Sequence, residues 1–209
     1  MSGRPGHVRD KGLTMMRKGA CTLVLVLMGT SRCLTAQCDV RVLVAYSSQS
    51  GHTRVMAESV AAGARAVAGT LVTLAPVDSI DAAQLRAAHA VVVGSPVHNA
   101  NVAVPVLAFM GRWPFPDGMR DKVGAAFVTG GGISSGEEEV QAAILRVMLM
   151  YGMIVVGGPD WSQGLGAFAV TGEAPWDTLP PGQVAGRFLQ KAVRLGTRVA
   201  TVTRQLRCH

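Results

Sequence analysis

Metal-ligand spacing is missing from this chain: its 209 residues include four cysteines, but no CxxC pair and no Cys/His cluster. That excludes zinc and iron–sulfur centres of the usual spacing. Aromatic residues make up only 5%, and no basic stripe interleaved with aromatics appears, which argues against nucleic acid as a partner. Charged residues are also few, at 16%, while 49% are hydrophobic, a composition that excludes long disorder and suits one folded domain. What is plentiful is Gly, Ala and Val, the material of short strands covered by close-packed helices.

The net charge of +7 does not belong to the folded part. Residues 1–37 hold six basic residues against one acidic, a net of +5, and the remainder is close to neutral with 14 basic and 12 acidic. This leader has the parts of an export signal: a basic Met15-Met16-Arg17-Lys18, an uncharged GACTLVLVLMGTS (19–31) and small residues in LTAQ (34–37). The 13-residue core falls short of the ~20 residues a membrane helix needs. The expectation is a leader over 1–37 followed by a domain over 38–209, exported or periplasmic if the leader is cleaved. The alternative is an N-terminal extension on a cytoplasmic protein. Cleavage would remove Cys21 and Cys33, leaving Cys38 and Cys208 free to form one disulfide in an oxidising compartment.

From residue 40 the pattern is regular. VRVLVAY (40–46), TLVTLAP (70–76), AVVVG (90–94), KVGAAFVTG (122–130) and MIVVGG (153–158) read as five strands, each a β-branched apolar run. Helical spacing follows over 53–68, 81–88, PVLAFMGRW and 137–150, and Pro180-Pro181 opens a last helix reaching about Leu206. Alternation of this kind predicts an α/β protein of three layers, a five-stranded parallel sheet with helices on both faces.

The polar loops fall where such a sheet binds ligands. Segments 47–53, 95–103 and 130–136 follow the carboxyl ends of the first, third and fourth strands. If the strand order is 2-1-3-4-5, the first and third of these strands flank the crevice where the order reverses. In YSSQSGHT (46–53), hydroxyls, a glycine and the amides of a helix N-terminus make a cradle for a phosphate. The stretch has no Lys or Arg, and neither GxxxxGK[ST] nor GxGxxG is present there, which argues against a nucleoside triphosphate or a dinucleotide.

SQSGHT (48–53) resembles the phosphate loop of flavodoxins, T/S-x-T-G-x-T. GSPVHNANV (94–102) is similar to the second flavin loop of the flavodoxin-like, WrbA-type quinone reductases, where Pro-Thr-Arg-Phe-Gly-Asn runs along the isoalloxazine. VTGGGISSGEEEV (128–140) resembles that family's third loop, Thr-Gly-Thr-x-x-Gly-Gly-x-Glu. YGMIVVG (151–157) and GAFAVTGEAPWD (166–177) also look like that family. The resemblance implies a flavodoxin-like fold of order 2-1-3-4-5 that binds FMN and is an NAD(P)H dehydrogenase (quinone). Ser48, Gln49, Ser50, Gly51, His52 and Thr53 would enclose the phosphate. Pro96, Val97, His98, Asn99, Ala100 and Asn101 would line the ring. Thr129, Gly130, Gly131, Gly132, Ser134, Ser135 and Gly136 would meet its pyrimidine edge, where donors stabilise charge developing on reduction.

The chemistry would be the flavin's own, so no catalytic dyad is expected, and His98 is the one side chain singled out beside the ring. Where the family has Arg-Phe, this chain has His98-Asn99, losing an aromatic and a positive charge. Trp113, Trp161 and Trp176 are candidates for a replacement aromatic. The partners implied are NAD(P)H and a quinone or similar acceptor, with a homo-oligomer (dimer or tetramer) also implied. The competing function is a flavodoxin-like electron carrier without turnover of its own.

Overall fold

The computed structural model describes residues 38–176, 179–180 and 182–208, so the expected leader lies outside the described residues. Four long parallel strands form its centre: β1 (Val40–Tyr46), β2 (Thr70–Pro76), β3 (Ala90–His98) and β5 (Val123–Gly130). They lie in the order β2-β1-β3-β5, with Val42 beside Ala90 and Val92 beside Ala125. The inner strands read as largely apolar runs because both faces are covered, whereas the edge strand β2 carries Thr70 and Thr73. Leu43, Val91 and Val93 face one layer, against Phe109, Ile144 and Met148. Val42, Val44 and Val92 face the other, against Met56, Val60 and Leu195.

The first layer comes from α2 (Ala82–Ala87), α3 (Val104–Met110) and α4 (Glu137–Met150). The second comes from α1 (His52–Arg65) and α5 (Gly186–Arg207). Asp81 caps α2 in a reciprocal box with Gln84. Glu137, Glu138 and Glu139 sit in the first turn of α4, where the helix dipole favours acids. Helices α1 and α5 approach through glycine. A Cβ at Gly63 would stand 1.9 Å from the Val193 carbonyl oxygen, and one at Gly196 1.9 Å from that of Val60.

Three expectations are corrected. The fifth position of the sheet is shared by two short strands, β6 (Ile154–Val155) and β7 (Ala167–Val170), both parallel to β5. Sequence reading placed one strand at 153–158 and put Ala167–Val170 in a connection. The 95–103 loop is a hairpin, because β3 continues to His98 and turns back antiparallel as β4 (Asn101–Val102). Helix α5 starts at Gly186, later than the Pro180-Pro181 start read from the sequence.

Opposite the polar loops, at the amino ends of the strands, Cys38 and Cys208 form a disulfide with Cα atoms 5.7 Å apart. His89, assigned nothing by sequence reading, is part of the same end. Its Nδ1 accepts the Arg41 amide at 3.1 Å, and the Arg41 guanidinium lies 3.2 Å from Nε2. Burial first, then Arg41, Arg207 and Lys122, hold the His89 pKa below its ordinary value. An imidazole with a depressed pKa binds protons less well folded than unfolded. Its contribution is therefore fully present above the unfolded value near 6.5 and declines as pH falls below it. The folded domain is expected to lose stability as pH falls below about 6.5. Replacing His89 with Gln should flatten that part of a urea-unfolding pH profile.

Candidate functional site

The three polar loops meet at the carboxyl edge of the sheet. The first turns from β1 into α1 through Gly51, which has φ +92°, a left-handed conformation that glycine adopts without strain. Ser48 Oγ accepts the Gly51 amide at 3.1 Å, and Ser50 Oγ lies 2.9 Å from His52 Nδ1. No side chain caps α1, so its first-turn amides face outward as free donors. Around them lies a cleft of about 460 Å³ lined by Ser48, Gln49, Ser50 and Gly51 together with Tyr46, Ser47, Arg54, Pro76 and Asp78.

This cleft differs from the sequence reading in two ways. Arg54, one residue past the quoted stretch, brings a positive charge to it, tied loosely to Glu58 at 3.8 Å. The Thr53 hydroxyl is turned inward, buried and 2.8 Å from Thr129 Oγ1. His52 and Thr53 do not line the cleft, and the Thr53 side chain ties the first loop to the base of the third.

The second loop is the β3–β4 hairpin. Asn99 (φ 50°) and Ala100 (φ 59°) both take positive φ, the sign pattern of a type I′ turn, although the usual glycine is missing. Ser95, fully buried, fixes its base by donating to the Pro96 carbonyl at 2.8 Å and accepting the Ala103 amide at 3.0 Å. Pro96 and Val97 are half-buried, whereas His98, Asn99, Ala100 and Asn101 are exposed at the tip, with Asn101 Nδ2 donating to the Asn99 carbonyl.

The third loop, Thr129 to Gly136, leaves β5 and enters α4. Ser134 (φ 60°) and Gly136 (φ 111°) are both left-handed. A Cβ at Gly136 would stand 2.7 Å from Ala100 Cα, so only glycine lets the third loop touch the hairpin tip. Gly131, Ser134 and Ser135 are at least partly open to solvent, while Glu137 is buried and accepts from Ser135 Oγ at 3.2 Å.

Sequence reasoning missed what lies behind this loop. Beyond β7 the chain continues the ladder, Thr171 N donating to the Gly130 carbonyl and Gly172 N to that of Gly131. The Glu173 carboxylate then accepts the Ile133 amide at 2.6 Å. Further on, Gly182 packs against Gly51, where an added Cβ would meet Gly182 Cα at 3.1 Å. The only local signal was the stretch GAFAVTGEAPWD itself.

None of the three tryptophans lines the first-loop cleft. Trp113 is buried edge-on to Phe109 and Tyr151. Trp161 is exposed on a turn, and Trp176 packs edge-on against Phe188. Trp176 instead lines a second cavity, of about 440 Å³, between α4, β7 and α5, with Phe168, Phe188, Arg187 and Lys191. Size does not separate the two cavities. Both adjoin an uncapped helix N-terminus. The second is lined by Ile133, Ser134 and the carboxylates of Glu137, Glu138 and Glu139, which oppose an anion, whereas the first has the serines and Arg54.

A polar turn at an uncapped helix N-terminus, an antiparallel hairpin and a glycine-rich loop on successive strand ends have counterparts among known proteins. The family model described as NADPH-dependent FMN reductase matches residues 38–167. The chain belongs to this family. A protein of Azorhizobium caulinodans named NAD(P)H dehydrogenase (quinone) is 33% identical over 162 residues, 65% of this chain and 80% of that one. A flavodoxin of Aquifex aeolicus is 34% identical over 126 residues, 58% of this chain and 66% of that one. A solved WrbA-like flavodoxin protein from Agrobacterium tumefaciens superposes with a TM-score of 0.65 at 24% identity, covering 80% of this chain and 99% of that one. The fold is flavodoxin-like, and membership makes this FMN reductase relative an FMN-dependent oxidoreductase served by NAD(P)H.

The donor set fits FMN. Open amides, Ser48, Ser50 and Arg54 suit a phosphomonoester, and the positive-φ hairpin and glycine-rich loop bring bare backbone to the neighbouring space.

Proposed function

We propose that the protein transfers two electrons from NAD(P)H to a quinone or similar acceptor through FMN bound at the carboxyl edge of the sheet. The observation that carries this reading is the convergence of the three loops through direct contacts: Thr53 with Thr129, and Gly136 against Ala100. FMN held there supplies the two-electron chemistry. The protein's part is to bind and orient. Ser48, Gln49, Ser50 and Gly51 hold the phosphate, with Arg54 adding charge. Pro96 to Asn101 flank the ring, and the amides of Gly130 to Gly136 meet the edge where negative charge develops on reduction.

The exposed hairpin tip leaves one side of this space open to solvent, which suits donor and acceptor taking turns. Phe115 and Met150, 79% and 82% exposed beside Tyr151, offer an apolar contact for self-association into a dimer or tetramer. The Cys38–Cys208 disulfide supports the export reading, since such bonds persist in oxidising compartments.

The test is steady-state oxidation of NADH and NADPH by the FMN-loaded protein, with and without 1,4-benzoquinone. Oxidation of either nicotinamide that rises with added quinone is expected. A flavin bleached by dithionite but by neither nicotinamide would overturn the enzyme in favour of an electron carrier.

A further inference from the structure

The segment behind the third loop acts on more than its shape. Thr171 N and Thr171 Oγ1 both donate to the Gly130 carbonyl, at 3.0 and 3.1 Å, and Gly172 N donates to that of Gly131 at 2.8 Å. These bonds extend the β5–β7 ladder past the end of the sheet. They hold the first half of the loop by neutral backbone groups.

The second half is held differently. Ile133 N donates to Glu173 Oε2 at 2.6 Å, a short charge-assisted bond. A Cβ at Gly132 would lie 2.8 Å from the same oxygen, so the carboxylate packs directly on the loop backbone. The next residue, Ser134, sits at φ 60°, a conformation that a non-glycine residue keeps only when its surroundings impose it. Glu173 holds the residue just before it.

It also brings a negative charge, on a side chain open to solvent. Among the described residues no Lys, Arg or His nitrogen lies within ion-pair distance of Glu173. Glu137, the other acid touching this loop, begins α4, where the helix dipole offsets it. Glu173 lies on no helix.

We propose that Glu173 is a positioning residue of the flavin site, fixing the third loop through the Ile133 amide and setting a negative charge behind the loop's donors. This rests on the reading that the third loop meets the pyrimidine edge. Two effects follow and can be separated. The hydrogen bond preorganises the loop, which favours flavin binding in either redox state. The charge opposes the negative charge that reduction develops, so it lowers affinity for reduced FMN relative to oxidised and makes the bound cofactor a stronger reductant.

Glu173→Gln keeps an acceptor oxygen and removes the charge, whereas Glu173→Ala removes both. The measurements are the affinity for oxidised FMN, the two-electron midpoint potential of the bound flavin, and amide exchange of residues 129–136 in the FMN-free protein. For Glu173→Gln, oxidised affinity is expected within about threefold of wild type. Its reduced affinity should be about threefold tighter, since solvent screens an exposed carboxylate, a rise of about 15 mV in midpoint. For Glu173→Ala, oxidised affinity should fall roughly tenfold, with faster exchange at residues 129–136. An unchanged midpoint in Glu173→Gln overturns the charge role. Unchanged exchange and affinity in Glu173→Ala overturn the positioning role. Failure of the wild type itself to bind FMN would instead overturn the functional reading on which both rest.

Discussion

Reducing the Cys38–Cys208 bond should cost the domain about 5 kcal/mol of stability, the chain-entropy value for a loop this long. The bridge spans 170 residues of sequence and closes nearly the whole described domain into a ring. For a domain of this size the loss corresponds to a fall of roughly 10–20 °C in Tm. The native contacts around the bridge remain after reduction. Arg204 Nη1 donates to the Cys38 carbonyl at 2.8 Å and to the Gly69 carbonyl at 3.2 Å, and Arg207 Nη2 donates to the Asp121 carbonyl at 3.0 Å. Reduced protein is therefore expected to fold, with the lower Tm. A Cys38→Ser/Cys208→Ser double variant should match the reduced wild type and ignore added reductant. Identical melting of oxidised and reduced wild type would remove the bridge from the account of stability.

The largest effect on binding is expected at Gly51. Valine there would have to adopt φ +92°, an outlier for a β-branched residue, and would crowd Gly182 with a Cβ 3.1 Å from its Cα. Relief of that strain turns the first amides of α1 away from the cleft. FMN affinity should fall roughly 100-fold in Gly51→Val, each tenfold being about 1.4 kcal/mol. Melting governed by the disulfide at the opposite end should change much less. Near-wild-type FMN affinity in Gly51→Val would show that the turn does not hold the phosphate.

Much of this molecule was legible because its central strands are covered on both faces. Val40–Tyr46, Ala90–Gly94 and Val123–Gly130 are mostly small and β-branched apolar residues, with Arg41 and Thr129 near the strand ends. The positions of the three loops followed from parallel α/β alternation, and the strand order from the resemblance to flavodoxins. The fifth position was misread because two and four residues, Ile154–Val155 and Ala167–Val170, are too short to show a period. The hairpin was hidden because Asn99-Ala100 lacks the glycine that marks a type I′ turn. Glu173 reaches Ile133 from 40 residues away, and no local pattern encodes such a bond. The disulfide was open to inference once a cleaved leader removed Cys21 and Cys33 from the four cysteines. Its pairing depends on β1 beginning and α5 ending at the same edge of the sheet.

The central claim is that the turn from β1 into α1 grips a phosphate, and comparing FMN with riboflavin tests it most directly. The two ligands share the ring and differ at the phosphate, so the difference in affinity reads the first loop alone. Titrating the protein into each flavin and following quenching of flavin fluorescence should give FMN binding at least about 100-fold tighter than riboflavin. That ratio is what two charge-assisted hydrogen bonds of about 1.5 kcal/mol each supply. Equal affinities for the two, or no binding of either, would contradict the account.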